Sequence, residues 1–254
     1  MKVLVAVKSV PAVAGRIGLT PDERAIDTKH LSFTISPHEE CAVEEAVRLI
    51  EKGGGDSVVV TLGPEAAVEQ LRDALALGIA RGIHLVTDGE EWDPESTAGA
   101  IVEAIRADEA ESGPFDLILM GNESADSAGY QVAVRVAAAL GRPVVTTIKG
   151  LAVDGRTVRC EQEASGGRDV FSLPLPAVVA VLEGLNLPRF PSVPGRLRAK
   201  SKPIATSRPA RPEQRLEMQR LVVPQGATKQ AEILGHGAEA APKVVEVLSG
   251  LGLV

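Results

Sequence analysis

The sequence predicts an α/β fold: a doubly wound, mainly parallel sheet with an antiparallel extension and an extended C-terminal arm. Hydrophobic residues make up 44% of the 254 residues but aromatic residues only 2%, so Val, Leu, Ile and Ala must fill the core. Short apolar runs alternate with segments of helical periodicity, which is the pattern of βα units. Several runs are apolar at every position, as in strands buried on both faces of a parallel sheet.

The chain begins with a strand and a helix. Val3–Val7 is an uninterrupted apolar run and predicts the first strand. Pro37–Ile50 has helical periodicity and predicts the first helix. Ser36 is a suitable N-cap, Pro37 suits the first turn, and Glu39 stands at the capping-box position, so we expect the helix to begin here.

The alternation continues to residue 140. The predicted strands are Ser57–Leu62, Ile83–Val86 and Phe115–Met120, and the predicted helices are Glu65–Leu77, Thr97–Ala107 and Gln131–Leu140. Glycine and proline residues separate these segments and mark their ends. Since ligands of doubly wound sheets bind beyond the carboxyl ends of the strands, we expect a site where these strands end.

Five shorter apolar pieces follow. They are Val144–Ile148, Leu151–Val153, Thr157–Gln162, Asp169–Leu173 and Ala177–Val181. Asp-Gly and Gly-Gly pairs stand at turns between them, a composition typical of β-hairpins. We therefore expect antiparallel hairpins that extend the sheet.

The character of the chain changes beyond Leu185. Nine Lys and Arg residues and several prolines lie between Arg189 and Arg220, a composition that cannot bury a core of its own. This stretch is either a disordered tail or an arm laid on a partner. The final segment, Ala241–Leu251, regains helical periodicity, which favours docking. We therefore separate an α/β domain, residues 1–188, from the segment 189–254.

The loop Gly121–Gln131 is the strongest candidate for a binding site. It joins a buried strand to a helix, and backbone N–H groups at the start of that helix can hold a phosphate, aided by the helix dipole. Gly121 and Gly129 permit close backbone approach. The alternative, equally weighted on spacing alone, is a surface turn in which Asp126 or Ser127 caps the helix. The other strand ends, at Ala6, Ser36–Glu39 and Leu62-Gly63, converge on the same edge and complete a mononucleotide pocket.

Other functional classes have little support. The net charge of −7 argues against nucleic acid as the main partner. The two cysteines, Cys41 and Cys160, make neither a disulfide framework nor a zinc cluster, which suits a reducing cytoplasm. The apolar run at the first residues is too short for a signal peptide, and no later apolar run approaches membrane-spanning length.

A catalytic set is equally hard to find. The four histidines have no spacing that suggests metal ligands or a triad. The pairs Glu39-Glu40 and Glu44-Glu45 are interpreted as solvated charges on the first helix. We therefore expect no catalytic residues and no metal, and favour a cofactor carrier or scaffold over an enzyme.

Six motifs match, in order, those of one known family. They are Leu4–Pro11 with its "VKxVP"-like turn, Ser36-Pro37 followed by Cys41–Leu49, Gly63-Pro64 with Leu71–Gly78, Gly121–Ser124 through Asp126, Leu175–Val179, and Leu185–Pro191. Together they resemble the electron-transfer flavoprotein beta (small) subunit family over roughly residues 1–204.

The resemblance implies a heterodimer with a larger, FAD-bearing alpha subunit. That heterodimer would carry electrons from dehydrogenases, as in fatty acid oxidation, to a quinone reductase or another acceptor. The small subunit would hold AMP, or a second FAD as in electron-bifurcating relatives. By position, Ala6, Ser36, Pro37, His38, Glu39 and Leu62 would surround the adenosine, while Gly121, Asn122, Glu123, Asp126, Ser127, Gly129, Tyr130, Gln131 and Val132 would hold ribose and phosphate.

The resemblance also assigns a role to the C-terminal segment. A partner-recognition loop follows Arg189, with Val193 as its protruding apolar anchor and Arg189 as a partner contact or an ion pair with the alpha subunit. The basic arm and terminal helix would dock on that subunit.

Several positions depart from the family pattern. Ala12 stands where an Asp is usual, Val13 where some members place an aromatic residue near the flavin, and Gln162 where an Arg is expected. AMP and FAD therefore both stay open, although the bulk of Tyr130 favours the smaller nucleotide. A stand-alone adenine-nucleotide sensor of the universal-stress type, monomeric or homodimeric, is the alternative function. An acyl-transfer or redox enzyme would need a nucleophile or redox cysteine that the sequence does not show.

Overall fold

A nine-stranded sheet with helices on both faces forms the centre of the molecule, which confirms the predicted α/β class. The computed structural model describes residues 1–12, 17–223 and 232–254. The strands are β1 Lys2–Ala6, β2 Ser9–Pro11, β3 Phe33–Ile35, β4 Asp56–Gly63, β5 Arg81–Val86, β6 Leu117–Gly121, β7 Val144–Asp154, β8 Thr157–Ala164, β9 Gly167–Pro174, β10 Ala177–Val181 and β11 Ile204–Ser207. The helices are α1 Pro37–Gly53, α2 Val68–Leu77, α3 Pro94–Ser112, α4 Gln131–Leu140, α5 Val193–Ala199 and α6 Ala241–Gly250.

The order of the strands places a topological switch point at the centre of the sheet. The order is β11-β5-β4-β1-β6-β10-β7-β8-β9, and neighbours from β11 to β7 run parallel. After β1 the chain proceeds to β4 and β5 on one side, and then crosses to β6 on the other. The loops after β1 and β6 therefore leave a crevice between them at the carboxyl edge, where doubly wound sheets bind ligands.

Two hydrophobic clusters lie on opposite faces of the sheet. Val3 and Val5 of β1 belong to the cluster under α1 and α2, whereas Leu4 and Ala6 belong to the cluster under α3 and α4. Successive side chains of a strand point to opposite faces, so both sets are buried. This is why the first apolar run has no alternation, as the sequence predicts.

The second half of the sheet contains the predicted antiparallel extension, but one strand pairs differently. The β7–β8 and β8–β9 pairs are antiparallel, whereas β10 runs parallel between β6 and β7. All five residues of β10 are buried, which matches a central strand and not a hairpin piece. The two pieces predicted at Val144–Ile148 and Leu151–Val153 form the single strand β7, whose pairing register shifts between Ile148 and Gly150.

Part of the predicted arm packs on the body of the same chain. β11 extends the sheet by pairing with β5, and α5 packs against α2. Neither element is predicted from the sequence, because each is short and lies among prolines and charges. The arm also includes residues 224–231, which lie outside the described residues. In the described parts of the chain, no helix has the length and hydrophobicity to cross a membrane.

Candidate functional site

The start of α1 is tied to the loops that follow β1 and β6. Ser36 occupies the N-cap position, as predicted, but its hydroxyl oxygen accepts a hydrogen bond from the Ala125 N–H at 3.2 Å instead of capping the helix. The predicted capping box is therefore incomplete on the Ser36 side. Glu39 Oε2 accepts from the backbone N–H of Lys8, and the Ser36 N–H is a further donor to this carboxyl group and lowers its pKa. Both side chains therefore hold α1 against the switch point.

Two carboxylates predicted to be solvated are buried. The exposed fraction of Glu39 is 8% and that of Glu44 is 2%. Glu39 faces the crevice between the strand ends and Glu44 faces Arg189, so tertiary contacts override the helical pattern. Burial raises the pKa of Glu39 to about 8, against the opposing effect of the Lys8 N–H and ammonium. Glu39 is therefore largely protonated at neutral pH.

Gly121 lies directly against the first turn of α1. A Cβ atom added to Gly121 would lie 2.7 Å from Glu39 Cγ and 3.3 Å from His38 Cβ, so a side chain here would force the two segments apart. The neighbouring His38 Nδ1 is buried and has no hydrogen-bond partner among the described residues. The crevice therefore offers an unpaired polar atom beside a backbone that lacks a side chain.

The loop between β6 and α4 folds back on itself before the helix begins. Ser124 and Ala128 exchange two backbone hydrogen bonds, and both Ala128 and Gly129 have positive φ. Tyr130 occupies the N-cap position of α4, and no described side chain caps this helix. The alternative in which Asp126 or Ser127 caps α4 is therefore wrong. The Val132 N–H donates to the Gly129 carbonyl at 3.2 Å, and the neighbouring N–H groups in the first turn of α4 can bind an anion.

Lys8 was missed in the sequence analysis and lies at the centre of the site. Its Nζ atom lies 2.9 Å from Asp126 Oδ2, 2.9 Å from Ser127 Oγ and 3.0 Å from Glu91 Oε1. It thus bridges the loops that follow β5 and β6. Burial alone would lower the pKa of Lys8, but Asp126 and Glu91 outweigh it and raise the pKa above its ordinary value. The sequence signal that could have identified Lys8 is its position immediately after the apolar run Val3–Val7.

Other predicted site residues make local contacts around this centre. Ala6 and Asn122 are buried, Leu62 and Val132 are partly buried against the core, and Pro37 is exposed. The Asn122 Oδ1 atom accepts from the Thr147 N–H at 3.0 Å.

The outer part of the loop faces solvent. A hydrogen bond with Glu123 raises the pKa of Tyr130, whose side chain is exposed. Gln131 Oε1 accepts from Arg135 one turn along α4, at 3.1 Å. The structure therefore brings Ser36, Glu39 and Asp126 together through Ala125 and Lys8, while the side chains of Tyr130 and Gln131 point away from the crevice.

The predicted partner loop is held by ion pairs and presents apolar side chains. Arg189 donates to Glu44 at 2.9 Å and to Glu51 at 2.7 Å, both on α1. These two bonds raise the pKa of Arg189. Val193, the first residue of α5, is 74% exposed, and Phe190 is 95% exposed. Phe190 was not predicted from the sequence. Its occurrence as a large aromatic residue within a polar segment was the signal that could have identified it.

Two further observations bear on the predicted contacts. Val13, predicted near the flavin of a partner, lies outside the described residues. A cavity of about 760 Å³ lies between α3 and residues 209–215, with Trp92 in its lining. Its lining contains acidic residues from both sides and none of the predicted site residues.

Comparisons with known proteins agree on one family. Residues 25–212 match the model of the electron transfer flavoprotein domain. The chain is 36% identical over 247 residues to electron transfer flavoprotein subunit beta of Syntrophomonas wolfei, which covers 97% of this chain and 95% of the relative. It is 36% identical over 207 residues to the mitochondrial subunit beta of Arabidopsis thaliana, 80% of each chain. With subunit beta of Mycobacterium bovis it shares 33% identity over 208 residues, 80% of this chain and 77% of that one. The chain belongs to the beta subunit family of electron transfer flavoproteins.

Proposed function

We propose that this chain is the small subunit of a heterodimeric electron-transfer flavoprotein and binds AMP at its loop Gly121–Gln131. Its relatives are named beta subunits, which supports a larger alpha subunit as partner. FAD held by that subunit supplies the capacity to accept and release electrons. Dehydrogenases are the donors and a quinone reductase or another acceptor receives the electrons. This chain holds the nucleotide and supports its partner.

The observation that carries the AMP proposal is the uncapped N-terminus of α4 at the switch point of the sheet. No described side chain caps this helix, and the Lys8 ammonium lies 2.9 Å from Asp126 and from Ser127 in the loop that leads into it. A phosphate at this point gains helix N–H donors and a cation. The unpaired His38 Nδ1 offers a polar contact to the rest of the nucleotide. The residues present therefore fit an adenosine monophosphate.

The arrangement of the loops favours AMP over a second FAD. The AMP half of FAD continues through a second phosphate towards the flavin, so a second FAD needs an open path beyond the phosphate site. Lys8 bridges Asp126 and Glu91 across that path, at 2.9 and 3.0 Å. A nucleotide that ends at its first phosphate leaves this bridge in place.

Residues 189–254 supply the proposed partner surfaces, and β11 and α5 within this segment also pack on the nucleotide-binding domain of residues 1–188. Val193 and Phe190 form an exposed apolar patch that suits recognition of a partner protein. The side chains of Val244, Val245 and Val247 on α6 are also exposed, and we place this helix against the alpha subunit. Arg189 is engaged by Glu44 and Glu51, so its role in this scheme is to hold the patch in place.

Two buried free cysteines are consistent with a cytoplasmic location.

Purification of the native complex tests this function. The complex is isolated, denatured, and its released nucleotides are separated and quantified. We expect a heterodimer with one FAD and one AMP. Two FAD molecules and no AMP would contradict the AMP assignment. A monomer or homodimer that carries a nucleotide but no flavin-bearing partner would favour the stand-alone sensor instead.

A further inference from the structure

We propose that Lys8 is a binding residue of the nucleotide site, whose ammonium group contacts the phosphate and keeps the loops closed around it. This inference rests on the proposed function and adds a residue that neither the family motifs nor the strand-end pattern assigned.

The backbone of Lys8 is fixed at the right place for this role. Lys8 follows β1 directly, at the switch point between β1 and β6. Its N–H donates to the buried Glu39, which in turn lies against Gly121 at the start of the phosphate loop. The side chain therefore starts from a rigid point and reaches across the crevice.

The ammonium group is already shared among groups of the two neighbouring loops. It contacts Asp126 and Ser127 of the loop after β6 and Glu91 of the loop after β5. Among the described residues, Arg135 is the other cation in contact with a side chain of the phosphate loop. It binds Gln131 on the flank of α4, away from the strand ends. Lys8 is thus the cation that the crevice itself contains.

A phosphate at the start of α4 needs that cation. The Asp126 carboxylate lies in the loop that leads into the same helix and contacts Lys8 at 2.9 Å, so without Lys8 it would repel a phosphate bound there. An ammonium group has three donors, so it can keep Asp126 and Glu91 while the donor on Ser127 turns to the phosphate. Because Asp126 and Glu91 raise the pKa of Lys8, it stays charged at neutral pH.

The test compares AMP with adenosine, which lacks the phosphate. The full chain is dialysed free of nucleotide, and both ligands are titrated into wild type and Lys8→Met by calorimetry. We expect the substitution to weaken AMP about 10- to 100-fold, the range of one or two charge-assisted hydrogen bonds. Adenosine binding should change less than about twofold, because its contacts do not include the ammonium group.

Lys149→Met is the matched control. Lys149 is 34% exposed against 33% for Lys8, and it forms one close ion pair, with Glu163 at 2.8 Å, where Lys8 forms two. It lies on β7, outside the crevice, so AMP affinity should equal that of wild type. Equal losses of AMP and adenosine in Lys8→Met, or no loss of either, would overturn the proposal.

A second measurement covers the case in which Lys8→Met does not fold. In wild type, AMP affinity should fall as salt is raised from low to high ionic strength, whereas adenosine affinity should stay constant. A salt dependence that is the same for both ligands would contradict a phosphate contact. If wild type binds neither ligand under any condition, the proposed function itself fails.

Discussion

Glu39 illustrates how one buried carboxyl group sets the chemistry of the crevice. It is surrounded by Lys8 from the end of β1, His38 from its own helix, Gly121 from the end of β6, and the charge of Asp126. Desolvation favours its neutral form over the effect of Lys8. A protonated Glu39 adds no negative charge beneath a site that already contains Asp126.

Glu39→Gln should remove a pH-dependent cost to stability. The folded pKa of about 8 lies above the unfolded value, so the folded state binds the extra proton and wild type loses stability as pH rises from about 4.5 to 8. Gln stays neutral and can still accept from Lys8. We expect the variant to gain roughly 2–4 °C or more in Tm at pH 8, the shift that about 1 kcal/mol produces in a chain of this size. Thermal melts of nucleotide-free protein at pH 5 and pH 8 check this. A difference between the proteins that is the same at both pH values would contradict the prediction.

Gly121→Ala should separate the phosphate loop from α1. The new methyl group meets Glu39 Cγ at 2.7 Å, and neither backbone can withdraw without breaking the contacts of Lys8 and Ser36. We expect a loss of about 1–3 kcal/mol in unfolding free energy, measured by urea denaturation, together with weaker AMP binding.

Gly99→Ala serves as the comparison for this substitution. Gly99 lies in α3 with open space where its Cβ would be, so alanine should be neutral or slightly stabilising there. If the two variants have equal stability, the close approach at Gly121 has no energetic importance.

Secondary-structure elements were predictable from the sequence where burial is uniform along them. β1, β4 and β6 each contain an unbroken run of buried residues, and α4 begins and ends where its periodicity predicts. β10 was placed wrongly because five apolar residues between turns suit a hairpin and a central strand equally well. Only its pairing with β6 and β7, contacts far apart in the chain, separates the two cases.

The link between α1 and the partner loop predicts an unequal effect of two arginines. Arg189→Ala leaves the 2% exposed Glu44 with Arg48 as its remaining cation, so a buried charge loses its main partner. We expect a loss of about 1–3 kcal/mol in unfolding free energy. Arg196→Ala breaks an ion pair with Asp73 in which both side chains are exposed, and should cost less than about 1 kcal/mol. Urea unfolding of both variants tests this prediction. Equal losses of unfolding free energy would show that Arg189 does not anchor the loop.

The arm after β11 is held by Asp93 at the start of α3. Asp93 Oδ1 accepts from the Ser96 N–H at 2.8 Å, and Oδ2 accepts from the N–H of Arg215 at 2.9 Å and of Leu216 at 3.3 Å. Burial would raise the pKa of Asp93, but these donors outweigh it and lower the pKa to about 2. One carboxylate thus caps a helix and fastens the arm.

Asp93→Ala should release the arm while the sheet stays folded. Losing the cap and the carboxylate that accepts from two backbone N–H groups costs on the order of 1–2 kcal/mol locally, which corresponds to roughly tenfold faster opening of the segment. Limited trypsin digestion should then cleave after Arg215 about ten times faster. Asp88→Ala is the control. Asp88 lies in the same loop, and among the described contacts its carboxylate accepts only from the Glu90 N–H, so this variant should leave the cleavage rate unchanged. Equal rates for Asp93→Ala and wild type would contradict this attachment.

At the scale of the whole molecule, the position of the site follows from topology and its interior does not. Alternating elements place the strand ends together at one edge, so the segments around Ser36–Glu39 and Gly121–Gln131 were predictable. The bridge made by Lys8 was not, because Asp126 is 118 residues away and Glu91 is 83 residues away along the chain. Sequence periodicity does not predict contacts between residues so far apart in the chain, and the three charges come together only in the folded protein.

A crystal structure of the full chain with AMP tests the central claim most directly. We expect the phosphate at the N-terminus of α4, against the loop Gly121–Gln131, with the Lys8 ammonium at a hydrogen-bonding distance of about 2.7–3.2 Å. The adenosine should lie towards Ser36–Glu39. A phosphate bound instead in the cavity between α3 and residues 209–215, with the crevice at the strand ends empty, would contradict the assignment of the site.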